Sequence, residues 1–334
     1  MRAVERLSLC SAGVLMAGLL AACGEAGSSG TEAPATAASG AGCAPVAGQQ
    51  LVVLEDDKKL QNTDNVVPAV NKKVATPELI AALDKVSDAL DTQKLINLNK
   101  AVDVDRKTPK IAAEEFAASA NLVAGIAKAA GGGKITIGAA NFSENETLAE
   151  LYRVVLTAAG YTATVQKIGN RELYEPALEK GEIQVVPEYA ATLADFLNPK
   201  VNGANAPAIS SSDLDKTMQG LKAAGDKVGI VFGKPSSAQD QNAFAVTKEF
   251  ADKYGLRTLS DLAAKCSGAG TVFGGPPECP QRPKCQLGLE QTYSFKAGSF
   301  STLDAGGPQT KNGLKTGTIS VGLVFSSDGA LASG

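Results

Sequence analysis

The sequence predicts an α/β fold, because short β-branched runs alternate with amphipathic segments over residues 134–193. Strands are expected at Ile135–Ile137, Thr162–Ile168 and Ile183–Val186, with a helix between each pair. Such a β-α-β-α-β order with short connections favours a parallel sheet with right-handed crossovers. Ligands of these sheets bind beyond the carboxyl ends of the strands. We therefore expect a site in the loops 138–144 and 187–192.

The first helix of this unit is predicted to begin with a capping box at Ser143-Glu144-Asn145-Glu146. In that motif the serine hydroxyl accepts from the backbone N–H of the last residue, whose carboxylate reaches back. The interpretation assigns Glu144 and Glu146 to capping rather than to site chemistry. The second helix is expected from near Asn170 to Gly181.

Composition bounds the class of protein. A chain of 334 residues with 44% apolar residues can form one large or two moderate domains. A net charge of −3 argues against nucleic acid as a partner. The chain has no histidine, the usual general base and zinc ligand, and we expect no metal and no cofactor. It also has no tryptophan, so an aromatic site must use tyrosine and phenylalanine.

The first 23 residues are predicted to be a lipoprotein signal peptide. Arg2 and Arg6 precede an apolar run over 7–20, which is too short to favour a membrane-spanning helix. The run ends in Leu-Ala-Ala-Cys, which is similar to a bacterial lipobox with Cys23 as the lipidated residue. A plain secretory signal is the alternative. Residues 24–47 are rich in Ala, Gly, Ser and Thr, which indicates a flexible tether.

Four further cysteines predict two disulfides. An even number in an exported protein suggests full pairing, with three possible connectivities. Cys279 and Cys285 flank a tight proline-rich loop and are paired first, which leaves Cys43 with Cys266. A zinc site is the competing interpretation, but it lacks both histidine and C-x₂-C spacing.

Three motifs carry a resemblance to a known family. G-A-A-N-F-S-E-N at 138–145, G-N-R-E-L-Y-E-P-A-L-E-K-G-E-I at 169–183 and P-E-Y-A-A-T at 187–192 occur in this order. Together they resemble the first lobe of the substrate-binding proteins of osmoprotectant (glycine betaine, choline) ABC importers. The resemblance implies a two-lobed, periplasmic-binding-protein-like (type II) α/β fold.

The order of the segments resembles a circular permutation of that family. Residues 51–73 and 95–116 are similar to its C-terminal part, and Val321–Leu331 to the piece that should run directly into Leu51. We therefore expect residues 48–130 to hold a permuted C-terminal segment of lobe 1 plus a linker, 134–234 the rest of lobe 1, and 235–334 lobe 2. The alternative is a separate helical domain before a truncated lobe.

The resemblance also implies the site. A quaternary ammonium ion has no N–H to donate, but aromatic ring faces can hold it. By resemblance, Tyr189 is a wall of the aromatic cage, Thr192 holds a ligand carboxylate, and Phe244 stands where the family often has a cage tyrosine. The expected ligand-binding residues are Asn141, Phe142, Ser143, Tyr189, Thr192, Asn242, Phe244, Gln309, Thr310 and Ser326.

Two departures from the family pattern leave the ligand open. Ala140 stands where the family often has a lysine that helps to hold the carboxylate, and Phe244 lacks a tyrosine hydroxyl. Both changes spare the cation end of the ligand and weaken the case for glycine betaine in particular. Choline, carnitine or another amine therefore stays open as the ligand.

The predicted function is that of a solute-binding lipoprotein anchored to the extracytoplasmic face of the cell membrane. It is expected to act as a monomer and to deliver a quaternary-ammonium osmoprotectant to an ABC permease and its ATPase. The alternatives are a binding lobe for another amine or an amino-acid-like solute, and a sensor or scaffold without transport. An enzyme is disfavoured, because Ser326-Ser327-Asp328 has no histidine partner and no Walker-type phosphate loop is present.

Overall fold

Two five-stranded sheets with helices packed on them make up residues 40–332, the part of the chain that the computed structural model describes. The strands of this part are β1 (Leu51–Val53), β2 (Val66–Asn71), β3 (Lys134–Ala140), β4 (Thr162–Gly169), β5 (Val185–Tyr189), β6 (Ile230–Phe232), β7 (Asn242–Thr247), β8 (Gly268–Gly275), β9 (Ala297–Thr302) and β10 (Val321–Phe325). Its α-helices are α1 (Pro77–Ala89), α2 (Thr92–Asn99), α3 (Pro109–Ser119), α4 (Ser143–Ala158), α5 (Arg171–Lys180), α6 (Ala190–Asn202), α7 (Leu214–Val228), α8 (Lys248–Tyr254), α9 (Leu259–Cys266), α10 (Gln286–Tyr293) and α11 (Pro308–Lys315).

The first sheet has the strand order β4-β3-β5-β2-β6 and forms the first lobe. Its strands β4, β3 and β5 are parallel, as the sequence predicts, and β2 runs antiparallel to both of its neighbours. Both faces of the sheet are covered. Along β2, Val66 and Val70 face a core shared with α1, α3 and α4, whereas Val67 and Ala69 face a core shared with α5, α6 and α7. Burial on both faces explains why β2 is apolar from Val66 to Val70.

The second sheet has the order β1-β7-β10-β8-β9 and forms the second lobe. Strand β10 pairs antiparallel with β7 and parallel with β8. Phe244 and Val246 of β7 face a core that includes residues of α8, α9 and α10. Ala243 and Ala245 alternate with them and face α11. The α/β fold with two lobes is therefore confirmed.

The chain crosses between the two lobes at residues 54–65 and 233–241. Strand β1 pairs with β7, so Leu51–Val53 lies in the second lobe, whereas the sequence analysis placed all of 48–130 with the first. Near the end of the chain, which the sequence analysis placed in the second lobe, Gly329 lies against Asn99 and Lys100 of the first lobe. The permuted order of segments stays a prediction.

The capping box predicted at the start of α4 is wrong. The N-cap residue is Phe142, whose carbonyl accepts from Glu146, and the Ser143 hydroxyl donates to Asp103 instead. Strand β3 continues to Ala140. Helix α4 begins at Ser143, one residue earlier than a capping box with Ser143 as the N-cap residue would give. Asn145 holds this turn, because its side chain accepts from the N–H of Ala140 (2.8 Å) and donates to the carbonyl of Pro187 (2.8 Å).

Two other boundaries differ from the sequence expectation. The segment 187–192 is not a loop, because β5 continues to Tyr189 and α6 begins at the next residue. Residues 111–130 are rich in alanine, which favours a helix, but the helix ends at Ser119, since Asn121 adopts the left-handed conformation (φ 52°) and turns the chain so that Leu122 is buried. Alanine content alone therefore overestimates the length of α3.

The described residues contain disulfides between Cys43 and Cys266 and between Cys279 and Cys285, the two pairs that the sequence analysis chose. The arm that carries Cys43 is further held to the second lobe, because Ser320 donates to the Cys43 carbonyl (2.9 Å). The predicted signal peptide with Cys23 lies outside the described residues, as does most of the predicted tether. Within residues 40–332 we find no helix with the length and apolar character needed to span a membrane.

Candidate functional site

A cavity of about 760 Å³ lies between the two lobes. The carboxyl ends of β3 and β5 supply its wall in the first lobe, and the start of β7 and the end of β10 supply its wall in the second. The crossing residues Asp64 and Asp240 also line it. This is the position that the parallel sheet predicts for a ligand site.

An aromatic pair forms part of the wall in the first lobe. The Phe142 and Tyr189 rings lie nearly parallel, with an interplanar angle of 27° and centroids 6.2 Å apart. Phe142 is 43% exposed, which is unusual for a phenylalanine and leaves its ring available to a ligand. Phe325, at the end of β10, lines the cavity from the other lobe and is 37% exposed. The cavity therefore has apolar aromatic surface on both sides.

Glu144 is buried next to this pair. Its Oε1 accepts from the Tyr189 hydroxyl (2.6 Å), and its Oε2 accepts from the Asn99 side-chain amide (2.5 Å). Burial raises the pKa of the Glu144 carboxyl, partly offset by the hydrogen bonds from these two neighbours. A cation close to such a buried carboxyl group would stabilise its charged form.

Asp64 and Asp240 come from the two crossing segments. Asp64 accepts from the backbone N–H groups of Ala191 (2.9 Å) and Thr192 (3.0 Å), and so caps α6 from a distant part of the chain. Burial nevertheless raises the pKa of Asp64 to about 7. Burial and the nearby Glu144 also raise the pKa of Asp240, which accepts from the Ser327 hydroxyl (2.9 Å).

The basic groups around the cavity are already engaged with acidic or carbonyl partners. Arg171 donates two hydrogen bonds to Glu188, at 3.0 and 2.7 Å, and Tyr174 donates to the same carboxylate (2.8 Å). Lys311 pairs with Asp328 (2.7 Å), and Lys284 donates to the Leu60 carbonyl (2.7 Å). Among the charged residues that line the cavity, acidic side chains outnumber basic ones six to four. The cavity is thus suited to a ligand that carries positive charge.

Six of the ten residues expected at the site line the cavity: Asn141, Phe142, Ser143, Tyr189, Thr192 and Asn242. Thr192 accepts from Arg171 (3.0 Å), so its hydroxyl already has a partner in the protein. The Asn242 amide donates weakly to the Lys284 carbonyl (3.3 Å) at the start of β7.

The other four expected residues do not line the cavity. Phe244 is 1% exposed and packs against Phe273 in the core of the second lobe. Gln309 and Thr310 lie in the first turn of α11, where Asp304 accepts from their backbone N–H groups (both 2.9 Å). The Ser326 hydroxyl donates to the Gln239 carbonyl and accepts from the Gln241 N–H, which joins the end of β10 to a crossing segment. The structure therefore places these four residues away from the lining of the cavity, and their role in ligand binding stays a prediction.

Sequence reasoning missed the carboxyl groups. Glu144 was assigned to helix capping together with Glu146, because Ser143 and Glu146 match the S-x-x-E capping box. That pattern has this meaning only when serine is the N-cap residue. Asp64 and Asp240 lie in connections between strands with no motif of their own. Their one sequence signal is that each lies two residues before a strand. No group of acidic or cysteine residues suited to a metal ion occurs in residues 40–332.

A family model and a curated relative point to the same family of proteins. The family of the substrate binding domain of ABC-type glycine betaine transport system (OpuAC) matches residues 44–119 and 133–333. A glycine-betaine-binding protein of Pseudomonas aeruginosa is 26% identical over 181 residues, which are 52% of this chain and 56% of that protein. The match therefore spans little more than half the length of this curated relative.

Solved structures are similar at a lower level. A glycine betaine/carnitine/choline ABC transporter structure has 22% identity and a TM-score of 0.45, over 60% of this chain and 70% of the other. Apo YehZ from Escherichia coli has 21% identity and a TM-score of 0.47, over 61% of this chain and 72% of the other.

Proposed function

The chain belongs to the family of substrate-binding domains of ABC-type glycine betaine transport systems, and from that premise we propose that its interlobe cavity binds a quaternary-ammonium solute. The observation that carries this proposal is the juxtaposition of the Phe142–Tyr189 pair with the buried Glu144. The two rings offer π faces, and the buried carboxyl group can take a negative charge beside a bound cation. Both features can stabilise a methylated ammonium ion.

The energetics favour such a ligand over a neutral one. A cation over an aromatic ring gains roughly 0.5–2 kcal/mol, with the larger value applying where water is excluded. Ring faces also replace the water shell of methyl groups, which cannot form hydrogen bonds. When the acidic groups around the cavity are ionised, their excess over basic groups attracts a cation, and this attraction is little screened inside a cleft.

We propose that the two lobes close on the solute about the crossing segments 54–65 and 233–241, as two-lobed binding proteins do. The closed form would then be presented to an ABC permease and its ATPase. The protein would act as a monomer on the extracytoplasmic face of the membrane, held there by a lipid on Cys23. Two disulfides support an oxidising compartment. The protein would carry out no chemistry itself.

Substituting Phe142 by leucine tests the aromatic contact. Leucine retains apolar surface but has no π face, so we expect the affinity for choline to fall about 2- to 30-fold, in line with a cation–π contact of roughly 0.5–2 kcal/mol. Isothermal titration calorimetry with choline, glycine betaine and carnitine, with proline as a non-quaternary comparison, measures this effect.

The matched control is Phe116→Leu, because Phe116 lies on α3 and does not line the cavity. That variant should bind as the unaltered protein does. An unchanged choline affinity in Phe142→Leu would remove the aromatic contact from the account. Failure of the unaltered protein to bind any of the three quaternary solutes would refute the proposed function.

A further inference from the structure

We propose, as a refinement that rests on the proposed function, that Asp64, Glu144 and Asp240 select solutes with a net positive charge and a hydrogen-bond donor. We propose further that such a solute displaces a proton from this acidic cluster when it binds. Choline, a cation with a hydroxyl group, has both properties. Glycine betaine has neither, because its own carboxylate cancels its charge and it carries no N–H or O–H.

The three carboxyl groups form one connected wall of the cavity. The backbone N–H of Asp240 donates to the Asp64 carbonyl (3.1 Å), which sets the two crossing segments side by side. Asn99 and Ser327 link this pair to Glu144, because Asn99 donates to both Glu144 (2.5 Å) and the Ser327 carbonyl (2.8 Å). All three acidic residues line the cavity.

Within residues 40–332, none of the three carboxyl groups has a lysine or arginine nitrogen within 4.0 Å. Arg171 is close enough to favour the charged form of Asp64, but it is bound to Glu188. Lys311 is bound to Asp328. The Asp328 carboxylate adds negative charge near Asp240. Three carboxyl groups without a basic partner in one cavity are stabilised as anions by a ligand that brings positive charge.

Asn99 gives an independent indication of the ligand. It is 4% exposed and lines the cavity, and both partners of its side chain are acceptors to which its Nδ2 donates. Its Oδ1 is buried and has no hydrogen-bond partner. A buried acceptor without a donor is unfavourable in the empty cavity, and a hydrogen-bond donor on the ligand that reaches it recovers this energy. The choline hydroxyl can supply that donor.

The proton balance follows from the surroundings of each acid. Burial raises the pKa of all three groups, and of Asp64 to about 7. Asp103 and Glu188 raise the pKa further at Glu144 and Asp64 respectively, and Asp328 does so at Asp240. The opposing influences are Arg171 and the helix N–H groups at Asp64, Tyr189 and Asn99 at Glu144, and the Ser327 hydroxyl at both Glu144 and Asp240.

The sign of the pH effect can now be stated. A carboxyl group with a raised pKa keeps its proton near neutral pH when the cavity holds no cation. A bound cation stabilises the carboxylate, lowers its pKa and sends the proton to the solvent. Choline affinity should therefore increase as the pH rises through the raised pKa of Asp64, about 7, and level off above it.

Calorimetry in buffers of different ionisation enthalpy measures the proton directly. For choline near pH 7, the observed enthalpy in phosphate and in Tris should differ by an amount that corresponds to release of about half to one proton. Choline should bind at least about tenfold more tightly than glycine betaine. Equal affinities, or an enthalpy that does not depend on the buffer, would overturn the inference and leave the proposed function intact.

Two variants locate the effect. Glu144→Gln keeps the shape of the side chain and removes its charge, so choline affinity should fall about tenfold or more and proton release should change. Asp240→Asn should have the same effects on choline affinity and proton release, and it replaces Glu144→Gln as the test if that variant does not fold. Glu146→Gln is the matched control, because Glu146 pairs with Lys167 outside the cavity. Unaltered choline affinity in folded Glu144→Gln or Asp240→Asn would overturn the inference.

Discussion

Replacing Phe244 by alanine should lower the free energy of unfolding by about 3–5 kcal/mol and leave the choline affinity of the folded protein unchanged. The side chain is 1% exposed, and its ring packs edge-on against Phe273 with centroids 5.8 Å apart. Strand β7 lies between β1 and β10, so the surroundings cannot easily collapse into the space left by the ring. Urea unfolding of the variant and calorimetry with choline measure the two quantities separately.

Phe142→Ala provides the contrasting variant. Its ring is exposed in the cavity, so its loss should change stability by less than about 1 kcal/mol while weakening choline binding. The family resemblance implies the opposite for Phe244, because it places this residue in the aromatic cage that holds the ligand. A Phe244→Ala variant that keeps its stability and loses choline affinity would contradict the packing described above.

Removing the Cys43–Cys266 disulfide by a double alanine substitution should lower the free energy of unfolding by about 2–5 kcal/mol. The bond joins residues 223 positions apart, so the unfolded chain loses a great deal of conformational freedom when it is closed. It also fixes the arm before β1 to the edge of the second lobe, where Thr271 accepts from the Cys43 N–H (2.7 Å). Urea unfolding under non-reducing conditions measures the difference.

The second disulfide is a matched control for this experiment. Cys279 and Cys285 are as deeply buried as the first pair, so alanine leaves a similar cavity, but they are only 6 positions apart. The same chain-entropy relation gives roughly half the stabilisation for so short a loop. An equal or greater loss of stability on removing Cys279–Cys285 would show that loop length does not determine the contribution of the first bond.

Much of the first lobe can be predicted from sequence, because its signals are local. Strands β3 and β4 alternate with helices at regular spacing, and Gly181 ends α5 in the left-handed conformation that glycine favours. The position of the cavity follows from this order, since the carboxyl ends of parallel strands meet at one edge. Phe142 lies two residues after β3, and Tyr189 is the last residue of β5.

The acidic wall of the cavity could not be predicted in the same way, because it depends on contacts between distant segments. Glu144 points to Tyr189 and Asn99 only once α4 begins at residue 143, a shift of one residue from the capping-box interpretation. Asp64 is brought to the start of α6 by the pairing of β2 with β5. Tertiary structure sets these positions, and no local pattern records them.

Phe244 illustrates a different limit. The strand β7 was predicted, but a side chain on a strand can face the cleft or the core, and its depth along the strand decides which surroundings it meets. Asn242 at the start of β7 lines the cavity, whereas Phe244, on the same face two residues further on, is enclosed by the core of the second lobe. A resemblance gives the segment and leaves this choice open.

A crystal structure of the protein with choline tests the central claim most directly. The account predicts a trimethylammonium group in the interlobe cavity within about 6 Å of the Phe142 and Tyr189 ring centroids, close to the carboxyl group of Glu144. Choline bound outside this cavity, or an interlobe cavity without choline at a concentration that saturates binding in solution, would contradict it.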